Sequence, residues 1–321
     1  LSCCHPAERA HLSGMDVPPS APKEPVTSGS LPDNQRAVGQ IPLPGGDFLM
    51  GDPFAEGYVD DGELPVHAVT LSPFAIDATT VTNAEFARFM EATGYKTESE
   101  TYGYSAVFHL LVKAKDEDIL GTAEGAAWWL TVRGADWAHP HGSESSWQDV
   151  AEHPVVQVSW NDAQAYCAWA GRVLPTEAQW EYAARGGLDS KRYPWGNELH
   201  GPAGEHLCNI WQGEFPMRNT LEDGFLGTAP VRSFPPNGFG LYETSGNVWE
   251  WCADWFLPKY YRSSAGTDPM GPSIGRGRVM RGGSFLCHDS YCNRYRLAAR
   301  SSNTADSASS NTGFRTVANI S

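Results

Sequence analysis

At 321 residues, 41% hydrophobic and 12% aromatic, the chain can bury a sizeable core as one large domain or two small ones, which excludes a mainly disordered protein. Asp and Glu number 38 against 23 Lys and Arg, and the net charge of −15 makes nucleic acid and anionic membrane surfaces poor partners. No apolar run of about eighteen residues occurs, so no membrane-spanning helix is expected. The acidity suits a cationic or Arg-bearing peptide and equally suits plain solubility.

Residues 1–40 are rich in Pro, Ser and charge (Pro18, Pro19, Pro22, Pro25, Ser28, Ser30) and carry no sustained period, the pattern of a mobile tail. The opening Leu1-Ser2-Cys3-Cys4 fits a position just after a secretory cleavage site. From 41 to 321 no second linker breaks the chain, so one domain is expected. It opens with apolar stretches on either side of Pro44-Gly45-Gly46, which predicts a strand pair. Three helices follow. Thr82-Asn83-Ala84-Glu85 is a capping box leading into Phe86, Phe89 and Met90 and closed by Gly94. The second starts near Ser159 to Asp162, carries Ala163, Tyr166, Cys167 and Ala170 on one stripe and stops at Gly171. The third starts from a Thr176-x-x-Gln179 box, turns Trp180, Ala183 and Ala184 inward and ends at Gly186-Gly187. Elsewhere 33 Gly and 23 Pro dominate, and segments such as Phe234–Gly240 form neither long helix nor central strand. So loop-rich a fold needs aromatic packing and side-chain or ion ligands for its carbonyls, which makes bound cations an expectation.

The seven cysteines (Cys3, Cys4, Cys167, Cys208, Cys252, Cys287, Cys292) are too sparse for a disulfide scaffold. Cys287 and Cys292 stand out. Five steps turn roughly 140° around a helix and flip the face of a strand, so the intervening residues must bulge if the sulfurs are to meet. Spacing leaves three readings open: a disulfide, a metal or redox pair, and two unrelated thiols. Two thiolates suit monovalent copper, whereas structural zinc would want more ligands than His288 alone adds.

The run Gly282-Gly283-Ser284-Phe285-Leu286-Cys287-His288-Asp289-Ser290-Tyr291-Cys292-Asn293-Arg294-Tyr295-Arg296, with Ala298–Thr304, closely resembles the active-site segment of formylglycine-generating enzymes, the sulfatase-modifying factors. The likeness continues through Leu174–Tyr182, Asn209–Gly213, Gly246–Trp251 and Asn311–Arg315, covering essentially 41 to 318. It implies a loop-rich α+β, C-type-lectin-like fold. It also implies oxidation by molecular oxygen of a cysteine in a sulfatase's Cys-x-Pro-x-Arg motif to Cα-formylglycine, with an external thiol reductant. Cys287 and Cys292 would then hold Cu(I), joined by the substrate thiolate in a pocket open to an incoming peptide, or stand joined as a disulfide when metal is absent.

By the same resemblance Ser284 and Tyr291 line the site and orient oxygen-derived species or relay a proton. Asn311, Trp128 and Trp129 contact substrate, and Trp249 or Trp251 walls the copper pocket, although each tryptophan also reads as core. Structural calcium, which takes roughly six to eight oxygens, would use Asn209 and Asp223 with the carbonyls of Ile210 and Phe225. A second calcium would use Asn247 and Glu250, with Gly246 and Val248 as carbonyl donors; Glu243 stands there where some relatives have Asn. Without the resemblance these are ordinary turn residues.

The two disulfides of animal members are absent. Thr316 stands at the partner position of Cys167, and Ala184 and Leu297 occupy the other pair. Cys167, on an apolar stripe, is therefore read as a buried inert thiol. This pattern fits bacterial members, whereas Cys3 and Cys4 resemble the cysteine-bearing extension of endoplasmic-reticulum members and offer a thiol link to a partner; the compartment stays open. A monomer is expected. The competing reading is a sulfatase-binding module of the same fold without catalysis, which both cysteines argue against. The related iron-dependent sulfoxide synthases would need a His-x-x-x-His-x-Glu run that is not here.

Overall fold

The computed structural model describes residues 39–319, so the expected tail, with Cys3 and Cys4, lies outside the described residues but for its last two positions. All three predicted helices form where their capping chemistry places them. Helix α1 (Asn83–Thr93) starts at Thr82, whose hydroxyl accepts from the Glu85 amide while Glu85 accepts from the Thr82 amide, and ends at left-handed Gly94. A short helix α2 (Glu98–Tyr102), with its own Thr97/Glu100 box, goes beyond the expectation; five residues are too few to show an apolar period. Helix α3 (Trp160–Ala170) is capped by Ser159 and Asp162, and α4 (Glu177–Arg185) by Thr176 and Gln179. Among the described residues no helix is long and apolar enough to cross a membrane.

The predicted strand pair is half right. Strands β1 (Gln40–Leu43) and β2 (Gly46–Met50) exist but do not pair with each other. Strand β2 pairs with β3 (His67–Leu71), and β1 with β4 (Phe74–Asp77). Gly45, at φ 69°, lies so close under Leu71 and Ser72 that a Cβ there would collide with their backbone, so the chain crosses from one sheet to another instead of folding back as a hairpin.

Three small sheets follow in sequence. Strands β5 (Tyr104–Phe108), β6 (Ile119–Ala123) and β7 (Ala126–Arg133) form one, with β7 central. Strands β8 (Gly213–Glu214) and β9 (Arg218–Asn219) make a short ribbon. The buried four-stranded sheet has the order β12-β11-β10-β13, from β10 (Trp249–Trp255), β11 (Arg278–Arg281), β12 (Arg300–Asn303) and β13 (Thr312–Gly313). Strand β14 (Val317–Asn319) returns to pair with β4. The whole is a loop-rich α+β architecture.

Aromatic rings join α1 to α3: Phe86 stacks on Tyr166 at 5.9 Å and Phe89 lies 5.6 Å from Trp169. The same core cluster runs on to Trp249, Trp251, Tyr295, Cys287 and Cys292. Cys167 sits in it as a reduced, buried thiol whose burial pushes its pKa far up, the inert role expected of it. Ala184 and Leu297 fill a separate apolar cluster in place of a bridge.

Helix α4 is fastened to the buried sheet by charge. Asp254 on β10 accepts from the Glu177 amide at 2.7 Å, and burial, reinforced by the Glu177 charge, pushes its carboxyl up to about 7. A carboxyl raised in the folded state favours folding below its ordinary value near 4. That contribution is lost as pH rises toward 7. Asp254→Asn should therefore grow more stable relative to the parent between about pH 4 and 7, as read by urea midpoints across that window.

Candidate functional site

Strand β11 delivers the chain into Gly282 and Gly283, at φ 91° and 76°. A Cβ on Gly283 would lie 2.7 Å from the Arg294 carbonyl, so glycine is what lets the outgoing and returning limbs of the cysteine segment touch. Ser284 follows, fully buried. Its amide points at the Cys287 sulfur at 3.4 Å, its carbonyl accepts from the Cys287 amide at 2.9 Å, and its hydroxyl accepts from Asn311 Nδ2 at 2.9 Å. The backbone then doubles back, with the amides of Tyr291 and Cys292 donating to His288 O at 3.0 and 2.7 Å. The residues between the cysteines bulge, as the spacing requires.

Both cysteines are 0% exposed and belong to one aromatic cluster with Trp249, Trp251 and Tyr295. Cys287 is a thiol and Cys292 is disulfide-bonded, so the two are not joined to each other. The expectation of a pocket open to an incoming thiol is not met in this state. The solvent-facing part of the segment is its tip, with Asp289 and Ser290 exposed and His288 and Tyr291 half-buried. Tyr291 stacks on Phe215 at 4.6 Å and meets Trp128 edge-on at 5.3 Å. Both sulfurs are thus buried while the 288–291 tip faces solvent.

The expected substrate residues divide. Trp128 is half-buried beside Tyr291 and can meet a peptide, but Trp129, on the opposite face of β7, is 0% exposed in the packing of Phe108 and cannot. Trp249 and Trp251 are fully buried core residues in the cluster around the cysteines. Asn311 is likewise buried; it reaches Ser284 and accepts from Ser309 Oγ at 2.8 Å, so it orders the site from within.

The residues expected for the first calcium, Asn209, Ile210, Asp223 and Phe225, are neighbours, Asp223 accepting from the amides of Ile210 and Phe225. Asn209 is 1% exposed, and its Nδ2 donates to Gly227 O at 2.8 Å and Asn247 Oδ1 at 3.1 Å. That fixes the amide's orientation and leaves Oδ1 buried with no donor. Beside it, Asp223 accepts from the amides of Ile210 (3.2 Å) and Phe225 (3.0 Å), and burial raises its pKa despite these bonds. An orphaned buried amide oxygen next to a partly buried carboxylate is the kind of donor a hard cation takes, and Asn209 and Asp223 fit calcium to that extent.

The second expected group fits less well. The Asn247 amide is saturated: Oδ1 accepts from Ala229 N at 2.8 Å and from Asn209, and Nδ2 donates to Ala229 O. Glu250 is held by Arg315 at 2.6 and 2.8 Å and by Trp180 Nε1 at 2.8 Å. Glu243, at φ 48°, accepts from the amides of Arg232 and Phe234 and is raised by burial. A cation there would have to share Glu250 with Arg315, and Asn247 offers it no side-chain oxygen.

Four further participants are not singled out by residue in the sequence. Trp211 donates its amide to Cys287 O at 3.0 Å, and Gln212 bridges the Ile210 carbonyl and the Asp223 amide. Phe215 stacks on Tyr291, and Cys208 lies in the same core cluster as the cysteine pair.

Residues 27–320 match the family described as sulfatase-modifying factor enzyme 1-like domain. The chain belongs to this family. A relative called formylglycine-generating enzyme in Streptomyces coelicolor is 61% identical over 94% of this chain and 96% of its own length. One of that name in Bos taurus is 50% identical over 92% and 79%. A Bos taurus relative called inactive C-alpha-formylglycine-generating enzyme 2 is 44% identical, covering 88% of each chain. The solved structure of PvdO from Pseudomonas aeruginosa superposes with a TM-score of 0.66 over 93% of this chain and all of its own, at 24% identity, a likeness of fold alone.

Proposed function

We propose that this family member oxidises a cysteine within the Cys-x-Pro-x-Arg motif of a sulfatase polypeptide to Cα-formylglycine, residues 41–321 acting as one catalytic domain. What carries the reading is the pair of buried sulfurs five residues apart in one aromatic cluster, Cys287 held by the backbone of Ser284 and Trp211, within a chain 61% identical to a relative named for that activity. Two soft thiolates are a donor set for Cu(I), which they can form once Cys292 is released from its disulfide. When bound, Cu(I) would supply one-electron chemistry toward dioxygen and a place for the peptide thiolate.

The chain's own residues then bind, orient and exclude water. Trp128 offers the peptide a half-buried aromatic surface next to the 288–291 tip. The Ser284 hydroxyl, fixed by Asn311, and the Tyr291 hydroxyl are the two groups that would pass a proton. The balance is one peptide thiol, one dioxygen and two external thiols giving one aldehyde, one hydrogen sulfide, one water and one disulfide. Half of the four electrons come from the substrate carbon. Calcium bound through Asn209, Asp223, Ile210 and Phe225 would brace the loops.

The test is to reduce the protein, load Cu(I), add dioxygen, a thiol reductant and a Cys-x-Pro-x-Arg peptide, and follow the peptide by mass spectrometry. Replacement of the thiol by an aldehyde is expected; binding of the peptide without aldehyde after copper loading would favour the binding-module reading. In the same assay Ser284→Ala should lower the rate by roughly 10- to 100-fold, the usual cost of an outer-sphere partner of a metal site. Asn311→Ala should add little on top, because both act through one hydrogen bond.

A further inference from the structure

The orphaned oxygen of Asn209 lies at the junction of the elements that hold the cysteine segment. Two residues on, the Trp211 amide donates to the Cys287 carbonyl at 3.0 Å. Asn209 Nδ2 grips Asn247, the Asn247 amide donates back to Asn209 O at 2.8 Å, and the Asn247 carbonyl accepts from Phe285 N at 3.0 Å. Gly246 donates to Gly282 O at 2.8 Å, and any Cβ on Gly246 would collide with the Asn209 carbonyl. Thus 209–211 and 246–247 clamp the segment at Gly282, Phe285 and Cys287, and both limbs of the clamp meet at Asn209. Asn209 Oδ1 has no donor at all, and the Asp223 carboxylate accepts from the amide of the next residue, Ile210, at 3.2 Å. Left without a cation, such a junction carries the cost of a buried unsatisfied acceptor, which rearrangement of 209–211 would relieve.

We propose that this site is a positioning site: calcium held by Asn209 and Asp223 fixes the backbone of Cys287 through the Trp211 amide, and so sets the Cu(I) affinity of the cysteine pair. The proposal rests on reading Asn209 and Asp223 as a calcium site and goes beyond bracing of the fold. Linkage makes the effect reciprocal, since a cation that favours the copper-competent arrangement is itself bound more tightly when Cu(I) is present, and by the same factor.

The experiment uses the full chain, kept anaerobic and reduced, in calcium-loaded and chelator-stripped forms whose folding is checked by circular dichroism. Bound calcium is counted by elemental analysis, and Cu(I) affinity is read by competition with a chromophoric Cu(I) chelator. Removing calcium should weaken Cu(I) binding by about tenfold, within the usual range of coupling between sites. Saturating Cu(I) should tighten calcium by the same ratio. Should the stripped protein unfold, Asp223→Asn, which keeps the side-chain shape, allows the same comparison by titrating calcium onto folded protein: low Cu(I) affinity at low calcium, recovering toward the parent value at saturation. Calcium bound but Cu(I) affinity identical in both forms overturns the coupling and leaves the calcium site standing. No bound calcium overturns both.

Discussion

Cys287→Ser and Cys292→Ser should each reduce aldehyde formation on a Cys-x-Pro-x-Arg peptide to background. Loss of an outer-sphere partner of a metal typically costs ~10- to 100-fold, and loss of one of two sulfur ligands should exceed that. Serine is nearly isosteric, and the bonds from the Cys287 amide to Ser284 O and from the Cys292 amide to His288 O remain in place, although Cys292→Ser also removes a disulfide. The folded structure should therefore survive while the soft donor is lost. Cys167→Ser is the control: its thiol lies on α3, outside the 282–296 segment in sequence and fully buried in apolar packing, so activity should persist with a stability cost of about 1–3 kcal/mol for an unpartnered hydroxyl. Parallel mass-spectrometric assays and thermal melts on the three variants separate the roles. Full turnover by Cys287→Ser would remove the basis of the assignment.

Arg281→Ala should be the most destabilising surface-independent change, at about 3–5 kcal/mol in chemical denaturation. Arg281 is 0% exposed on β11; its two terminal nitrogens donate to Glu177 Oε1 at 2.7 Å and Glu181 Oε2 at 2.5 Å, and one also donates to Leu297 O. Arg300 shares Glu177 from β12 at 2.6 and 2.9 Å, and Arg185 takes the other oxygen of Glu181. Removing one guanidinium leaves carboxylates in the core with partial compensation, at the step that leads into Gly282 and the cysteines. The pH dependence has a definite sign. Burial pushes Glu177 and Glu181 up, but the arginines more than offset it, so both carboxyls are held below their ordinary value. Groups lowered in this way stabilise the fold above the ordinary carboxyl range, and that contribution is lost as pH falls through the depressed values. Arg281→Ala should therefore show a weaker acid-side loss than the parent.

Local chemistry made the helices readable. The Thr82, Ser159 and Thr176 caps state where a helix begins without reference to the rest of the chain, and left-handed glycines state where it ends. Strand pairing was not readable in this way, because β1 and β2 find their partners through Gly45's close pass under β3's end, a tertiary fact. At the site, the bulge between Cys287 and Cys292 followed from spacing, and the residues that converge on Asn209 followed from resemblance. The Trp211 amide, the Gln212 bridge and the Phe215 stack act through backbone groups or through contacts distant in sequence, so residue type gave no hint of them. Trp129 shows the reverse: strand alternation turns it into the core while its neighbour Trp128 faces the tip, and a matched dipeptide does not say which ring is which.

X-ray absorption at the copper edge of the reduced, Cu(I)-loaded protein, recorded with and without the peptide, bears most directly on the proposed chemistry. Sulfur-only coordination that gains one sulfur when the Cys-x-Pro-x-Arg peptide is added, and that disappears in Cys287→Ser, is the expected result. Nitrogen or oxygen coordination that is the same with and without peptide would contradict it.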